Sequence, residues 1–287
     1  MMSLKNLALI STSIVVLAIS ATAVQAAPTT GVMYVGFAEW WDDYQYGSNG
    51  FSYDHPSLYG FGRVNIPYAD TKANLQLDFF GDASLHDRPT SQNFGALGNV
   101  GVGLHLNERD PSEGLLGLFV ATGRVWDIYG GNNSPVIMAG FEGQYYCGPW
   151  TLYGQAGYMD SNPYFMENAG FLRGLVSYYA GPKLKVTGGV GYIEGQFNHS
   201  HDANAWTWQA DAQYWFGKSV PAAVTLKYEG REAEIHYSSG VPKLNSNELS
   251  IGFSVYFGGG GGSIEENDRT AAGTEIPNFD WFRLPSD

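Results

Sequence analysis

The 287-residue chain has little cysteine and little positive charge. Its one cysteine, Cys147, cannot form an internal disulfide and has no second thiol with which to bind a metal. Fifteen Lys and Arg stand against 28 Asp and Glu, and the formal net charge is −13. Because nucleic-acid binding needs clustered positive charge, this composition argues against a nucleic-acid partner. No motif calls for a metal or another cofactor, so we expect none.

Long apolar runs are missing beyond the N-terminus, since Gly, Gln, Asn, Asp or Lys interrupts each one within a few residues. No transmembrane helix is therefore predicted after residue 26. The mean hydropathy of −0.19 is typical of a soluble protein. A membrane β-barrel has a similar average, because the polar side chains of its interior dilute the apolar ones that face lipid.

The N-terminus has the pattern of a secretory signal peptide. Lys5 gives the positive charge, residues 7–19 form the apolar core, and Val24-Gln25-Ala26 is a small-x-small cleavage site. We predict that residues 1–26 are removed on export. A membrane anchor is the alternative, but the apolar run is shorter than the ~20 residues that span a bilayer.

Aromatic residues and glycine are abundant, with 19 Tyr, 16 Phe, 8 Trp and 38 Gly. Aromatic side chains form the interfacial girdles of membrane barrels, and glycines relieve crowding inside a closed, tilted sheet. Period-2 alternation of apolar and polar residues predicts about twelve strands within residues 27–257. The predicted fold is all-β: a transmembrane, antiparallel, up-and-down β-barrel. Ten strands are the alternative, if the first segment is a plug and two others are miscounted.

The predicted strands are Val32–Trp41, Ser57–Pro67, Lys72–Gly81, Phe94–Leu106, Leu115–Arg124, Val136–Tyr146, Trp150–Tyr158, Ala169–Tyr179, Lys183–Ile193, Ala205–Phe216, Ala222–Arg231 and Glu248–Phe257. Short turns follow the even strands. Longer polar loops follow the odd ones, among them Asp42–Pro56, Glu194–Asn204 and Glu232–Asn247. Outer-membrane barrels have short periplasmic turns and long external loops. The alternation therefore predicts that both ends of the barrel domain are periplasmic.

The last strand has the clearest pattern. From Leu249 to Phe257, large apolar residues alternate with Ser, Gly and Tyr, which predicts one face toward lipid and one toward a polar interior. The segment resembles the C-terminal sorting signal of Gram-negative outer-membrane β-barrels, in Gly252, Val255 and the final Phe257. The resemblance implies an outer-membrane location, recognition by the barrel-assembly machinery, and contact with outer-membrane lipids and lipopolysaccharide.

On each predicted strand, the residues that alternate with the apolar, lipid-facing ones are expected to face the lumen. The charged ones among them are Arg63, Asp78, Glu142, Arg173, Lys185, Asp211, Lys227 and Glu229. Both signs are present, whereas a strongly selective pore usually lines its constriction with one sign. We therefore predict a porin-like channel for the passive diffusion of small hydrophilic solutes. The alternative from the same residues is a lumen closed by ion pairs, in a barrel with a structural or adhesive role.

One motif predicts a different function. His236-Tyr237-Ser238, followed by Glu248, resembles the His-x-Ser motif of the outer-membrane lipid A 3-O-deacylases. The resemblance implies that Ser238 is the nucleophile, His236 its base and Glu248 the residue that orients the histidine. In this chain Ser239 replaces the asparagine that follows the serine in that family. A lipid A esterase is thus the enzyme alternative.

A second motif is discounted. Gly98-Asn99-Val100-Gly101-Val102-Gly103 contains the repeated glycines of a dinucleotide-binding loop. Its glycines lie within a predicted strand and no helix follows, so it lacks the context that such a loop needs.

Residues 258–287 form a tail beyond the last strand. Gly258 to Gly262 are a flexible linker, and the remainder is acidic and carries Phe279, Trp281 and Phe282. One interpretation is a disordered periplasmic tail. The other is that residues 276–284 dock on a periplasmic partner or fold back into the barrel mouth, because a solvated tail has little use for three aromatic residues so close together.

Overall fold

The computed structural model of this chain describes residues 28–68, 71–85, 98–126, 133–161, 166–217, 219–259 and 261–282. In these ranges twelve antiparallel strands form a closed barrel, in which sequence neighbours pair and the first strand pairs with the last. The prediction of a twelve-stranded all-β barrel is confirmed, and the ten-stranded alternative is wrong. The predicted signal peptide, residues 1–26, lies outside the described residues, as do residues 94–97 of the fourth predicted strand.

The strands are β1 (Thr30–Tyr46), β2 (Asn49–Pro67), β3 (Ala73–Ser84), β4 (Gly98–Asp110), β5 (Gly114–Trp126), β6 (Asn133–Cys147), β7 (Trp150–Ser161), β8 (Glu167–Tyr179), β9 (Leu184–Phe197), β10 (His201–Trp215), β11 (Ala222–His236) and β12 (Lys243–Phe257). A short helix, α1 (Ile264–Asn267), follows, continued by a π-helical turn (Asp268–Ala272) and, later, a 3₁₀ turn (Phe279–Phe282). In the described part of the chain, no helix is long and apolar enough to span a membrane. We call the end of the barrel at which β1 begins and β12 ends the periplasmic end, and the opposite end the outer end.

Three of the predicted outer loops are largely strand. β1 and β2 meet in a turn of only Gly47 and Ser48, although Asp42–Pro56 is predicted to be a loop. Most of Glu194–Asn204 and Glu232–Asn247 likewise belongs to paired strands. These predictions are wrong because the strands extend past the apolar belt into water, where polar residues on both faces imitate a loop.

Apolar side chains cover the outside of the barrel at the predicted parity. Phe37 is 62% exposed, Leu116 72% and Phe141 69%, and similar side chains are exposed on the other strands. The alternating neighbours point inward and are buried, as the patterns of β1 and β12 show. An apolar belt of this extent is unsuited to water and matches the lipid-facing band of a membrane barrel.

A tyrosine lies across the seam at which β1 closes on β12. A Cβ on Gly252 would lie 2.0 Å from the Tyr34 hydroxyl, and one on Gly36 would lie 2.7 Å from it. The ring is held in place because it stacks on Phe61, with centroids 5.2 Å apart, and accepts a hydrogen bond of 2.6 Å from the Tyr59 hydroxyl. The glycine of the predicted sorting signal therefore also has a packing role.

We predict that Gly252→Ala destabilises the barrel by ~1–3 kcal/mol, because the added methyl group must push the Tyr34 ring from its stacked position. The change in the free energy of unfolding is measured by denaturant titration of the refolded protein. The heat-dependent gel shift of folded barrels gives the folded fraction at each denaturant concentration. Gly188→Ala is the matched control, since a Cβ at Gly188 meets no atom within 4 Å. Equal stability of the two variants would contradict the role of the Tyr34 ring.

Candidate functional site

The C-terminal segment, here residues 261–282, lies inside the barrel. The chain turns back after Phe257 at Gly258, where φ is +71° and a Cβ would lie 1.9 Å from the Thr29 carbonyl oxygen. The segment then makes contacts along the lumen from the periplasmic end to the outer end. The structure thus differs from the solvated-tail interpretation and agrees with the idea that the tail folds back into the barrel.

An apolar cluster holds the segment at the periplasmic end. Ile264 of α1 is fully buried in a cluster with Val32, Trp215 and Tyr256, and its N–H donates to the Pro182 carbonyl at 2.9 Å. The first turn of α1 is capped by Ser263, whose side chain accepts from the backbone N–H at position 266. Ile264 therefore fixes the segment to the turn between β8 and β9.

The main chain of the segment is held by side chains of the wall. The carbonyl oxygens of Thr270, Ala271, Gly273, Thr274 and Glu275 all accept hydrogen bonds from it. Arg109 donates to the Thr270 carbonyl at 3.2 Å, and Asn65 donates to the Ala271 carbonyl at 2.5 Å. Three glutamine amides donate to the next carbonyls: Gln144 to Gly273 at 3.0 Å, Gln76 to Thr274 at 2.8 Å and Gln155 to Glu275 at 2.7 Å. These residues lie on β2, β3, β4, β6 and β7, so these hydrogen bonds to the main chain come from one half of the wall.

Two carboxylates of the segment pair with cations of the wall. Asp268 accepts from Lys185 at 2.7 Å, and Glu275 forms an ion pair with Arg173. The Arg173 guanidinium also lies over the Trp281 ring, 4.7 Å from its centroid. The segment thus supplies both the charge partner and the aromatic partner of a buried arginine.

A buried polar pair meets Thr274 at the middle of the lumen. His105 Nδ1 lies 2.7 Å from a Glu142 carboxylate oxygen, and the Thr274 hydroxyl donates to the same oxygen at 2.8 Å. Both wall side chains are buried. Sequence reasoning missed His105, although it shares the parity of Gly101 and Gly103 and could have been assigned to the lumen by that signal.

Aromatic residues of the segment complete an apolar cluster at the outer end. Phe279 and Phe282 are fully buried there, among residues that include Met138, Met159 and Phe171. Phe279 meets Phe80 edge to face, with ring centroids 4.8 Å apart. The two ends of the segment are therefore anchored by apolar packing, and the part between them by polar contacts.

Glycines of β4 and β5 make room for the segment. A Cβ on Gly103 would lie 2.6 Å from Ile276, and Cβ atoms on Gly101 and Gly123 would lie 2.9 and 2.6 Å from the Phe279 ring. The discounted glycine motif is thus confirmed to lie in a strand, and it forms the surface on which the segment packs.

A cavity of about 220 Å³, lined by charged, amide and aromatic side chains, lies beside the segment. It reaches from Val32 to Trp40, eight residues apart on β1, which corresponds to roughly 20 Å along a barrel with ~3.3 Å rise and ~40° strand tilt. Its lining includes three cations and seven carboxylates: Arg63, Lys185 and Lys227, against Asp78, Asp82, Asp211, Glu229, Glu248, Asp268 and Glu275. The lining of this cavity therefore has an excess of carboxylates.

The structure places all eight predicted lumen residues inside the wall, and most of them form ion pairs there. Arg63 donates from Nε to Asp78 at 3.0 Å, and Lys227 lies 2.9 Å from the Glu229 carboxylate. Glu142, Arg173 and Lys185 make the contacts described above, and Asp211 lines the cavity. The mixed signs of the sequence thus correspond to a cross-strand pair, to a pair within β11 and to pairs with the C-terminal segment.

The three residues of the esterase alternative do not come together. Glu248 points into the lumen and pairs in register with Glu229, whereas His236 is exposed at the outer end of β11. Seven residues separate positions 229 and 236, which is roughly 23 Å at ~3.3 Å per residue. His236 Nε2 instead lies 2.9 Å from the Asn204 amide, and Ser238 is exposed. The lipid A esterase alternative is not supported.

Comparison with known proteins identifies the fold. No protein-family model matches the sequence, and a search of curated proteins gives no match. An outer-membrane channel from Pseudomonas putida F1 superposes with a TM-score of 0.52 at 14% identity, over 83% of this chain and 98% of that one. A FadL homologue from Pseudomonas aeruginosa (TM-score 0.46, 10% identity) matches 79% of this chain and 90% of its own. The KdgM porin, solved in complex with disordered oligogalacturonate (TM-score 0.44, 8% identity), matches 77% and 99%. The first of these similarities shows that the chain has the fold of an outer-membrane β-barrel.

We predict that Gly103→Leu displaces the C-terminal segment, because the new side chain takes the space of Ile276. Trypsin should then cleave after Arg269 at least tenfold faster than in the unaltered protein, since a protease cannot reach a segment held inside the barrel. Mass spectrometry of the released fragment follows the reaction. Gly188→Leu is the control on an open position, and the same cleavage rate in both variants would contradict the packing role of Gly103.

Proposed function

We propose that this protein is a porin-like channel of the outer membrane for the passive diffusion of small hydrophilic solutes, narrowed by its own C-terminal segment. The observation that carries the proposal is the cavity with charged side chains in its lining, beside that segment and inside a closed barrel with an apolar outer belt. Polar side chains of the interior that neither the segment nor the wall pairs need another partner, which water in the cavity would supply.

The channel is narrow. A cavity of about 220 Å³ spread over roughly 20 Å is on the order of one or two water molecules wide. Ions and the smallest polar solutes fit this width while the C-terminal segment is in place. A closed structural or adhesive barrel is the competing function, and it differs from the channel in carrying no current.

Export and assembly complete the proposal. Removal of residues 1–26 would deliver the chain to the periplasm, and Gly252, Val255 and Phe257 would be recognised by the barrel-assembly machinery. Outer-membrane lipids and lipopolysaccharide would then surround the apolar belt. The segment's buried aromatic residues, Phe279 and Phe282, occupy the lumen and are not free for the periplasmic partner considered from the sequence.

The refolded mature protein should give small, stable current steps in a planar bilayer. Under a potassium chloride gradient the reversal potential should show a preference for cations, because carboxylates outnumber cations in the cavity lining. A barrel that shows the heat-dependent gel shift of the folded state but carries no current would overturn the channel proposal.

Glu248→Gln should lower the cation preference measured by the reversal potential, because it removes one carboxylate from the cavity lining without changing the shape of the side chain. Glu39→Gln is the matched control: Glu39 belongs to the opposite parity of β1, on the outward face. Equal shifts in the two variants would show that the charge of the whole barrel, and not of the lumen, sets the selectivity.

A further inference from the structure

The half of the wall that holds the C-terminal segment recognises its main chain. Five carbonyl oxygens within the six residues from Thr270 to Glu275 accept from wall side chains. Gln76 contacts both polar groups of one residue, since its amide donates to the Thr274 carbonyl at 2.8 Å and accepts from the Thr274 N–H at 3.3 Å. Contacts of this kind are independent of side-chain identity, as when a peptide is added to a sheet edge.

One position of the groove also recognises a side chain. Arg173 pairs with Glu275, while its remaining hydrogen bonds go to wall residues, Gln155 at 3.3 Å and Gln209 at 2.7 Å. The Tyr153 hydroxyl adds a second donor to the Glu275 carbonyl, at 3.3 Å. The wall thus holds this arginine ready for an acidic residue of an extended peptide.

We propose that this groove, formed by Asn65, Gln76, Arg109, Gln144, Gln155 and Arg173, is a peptide-binding site, and that short peptides with an acidic residue bind in it when the C-terminal segment leaves. The C-terminal segment is its tethered occupant, attached through the glycines that follow Phe257. This proposal rests on the channel function proposed above.

The charge of the lumen favours a peptide over a simple anion. The cavity beside the groove has an excess of carboxylates, which repels a free anion and attracts the amino group of a peptide. A peptide can therefore place its acidic residue at Arg173 and its amino end toward Asp211 or Glu248. A tethered occupant has an effective concentration on the order of millimolar, so the site is largely filled in the unaltered protein.

Weakening the occupant while keeping the wall intact tests the proposal. In the full chain, Phe279→Ser and Phe282→Ser together remove the outer anchor and change no residue of the groove. A fluorescent peptide of residues 263–282 is titrated against the refolded protein in detergent, and anisotropy gives the dissociation constant. We expect this variant to bind the peptide at least tenfold more tightly than the unaltered protein. Glu266→Gln, an exposed change in the same segment, should bind it as the unaltered protein does.

Two further changes separate groove binding from adhesion of an aromatic peptide. Gln76→Leu, added to the weakened variant, should lower the affinity at least tenfold, and so should a peptide with Glu275→Lys. Gly-Thr-Glu-Ile-amide, which has a free amino end, should block the current of the weakened variant at concentrations at which acetate and sucrose do not. If the double serine variant does not fold, Ile276→Ser weakens the occupant at a different position.

The proposal fails if the weakened variant binds the peptide no better than the unaltered protein, or if Gln76→Leu leaves the affinity unchanged. Current in the unaltered protein together with either result would leave the channel standing and remove the peptide site. A folded barrel that binds the peptide through Gln76 but carries no current would support the groove as a binding site and overturn the channel.

Discussion

The lumen of a twelve-stranded barrel is wider than its wall side chains can fill, and each polar group that faces it must be paired or hydrated. In this protein the C-terminal segment meets that constraint on one half of the wall and water is expected to meet it on the other. The segment brings carbonyl groups where the wall has amides, and carboxylates where the wall has Arg173 and Lys185. A buried cation without such a partner is strongly unfavourable, so wall and segment depend on each other.

Wall and segment are also complementary in shape, because large side chains pack against glycines. The Tyr34 ring lies over Gly36 and Gly252 at the seam, and Ile276 and Phe279 lie over glycines of β4 and β5. At each place a large side chain needs the backbone surface that only a residue without Cβ leaves open. The abundance of glycine and the abundance of aromatic residues are thus connected, because the rings pack on glycines.

The membrane-facing architecture could be predicted because period-2 alternation is a local property of the sequence. The spacing of Leu249, Ile251 and Phe253 predicts which face of the strand meets lipid, without information from any other strand. The extent of the outer hairpins could not be predicted, since strands that project into water lose the apolar signal.

The site was predicted in part: parity located Arg63, Arg173 and Lys185 in the lumen, but the pairing of Arg173 with Glu275 joins residues 102 positions apart. Such a contact depends on barrel closure, which no local pattern encodes. The esterase motif failed for a different reason: Glu248 faces the lumen and His236 faces outward, so the two side chains lie on opposite faces of the wall although they are close in sequence.

The course of the C-terminal segment has a consequence for assembly. The surface that it occupies takes in residues of β2 to β9 and, at the periplasmic end, residues of β1, β10 and β12. The segment also follows the strand that closes the barrel, so it has no binding surface until most of the sheet has formed. We therefore expect a hollow barrel to form first and its interior to be filled last, from the periplasmic side. During that interval the wall must be stable on its own, with water in the place of the segment, and the pairs Arg63–Asp78 and Lys227–Glu229 already neutralise part of its charge.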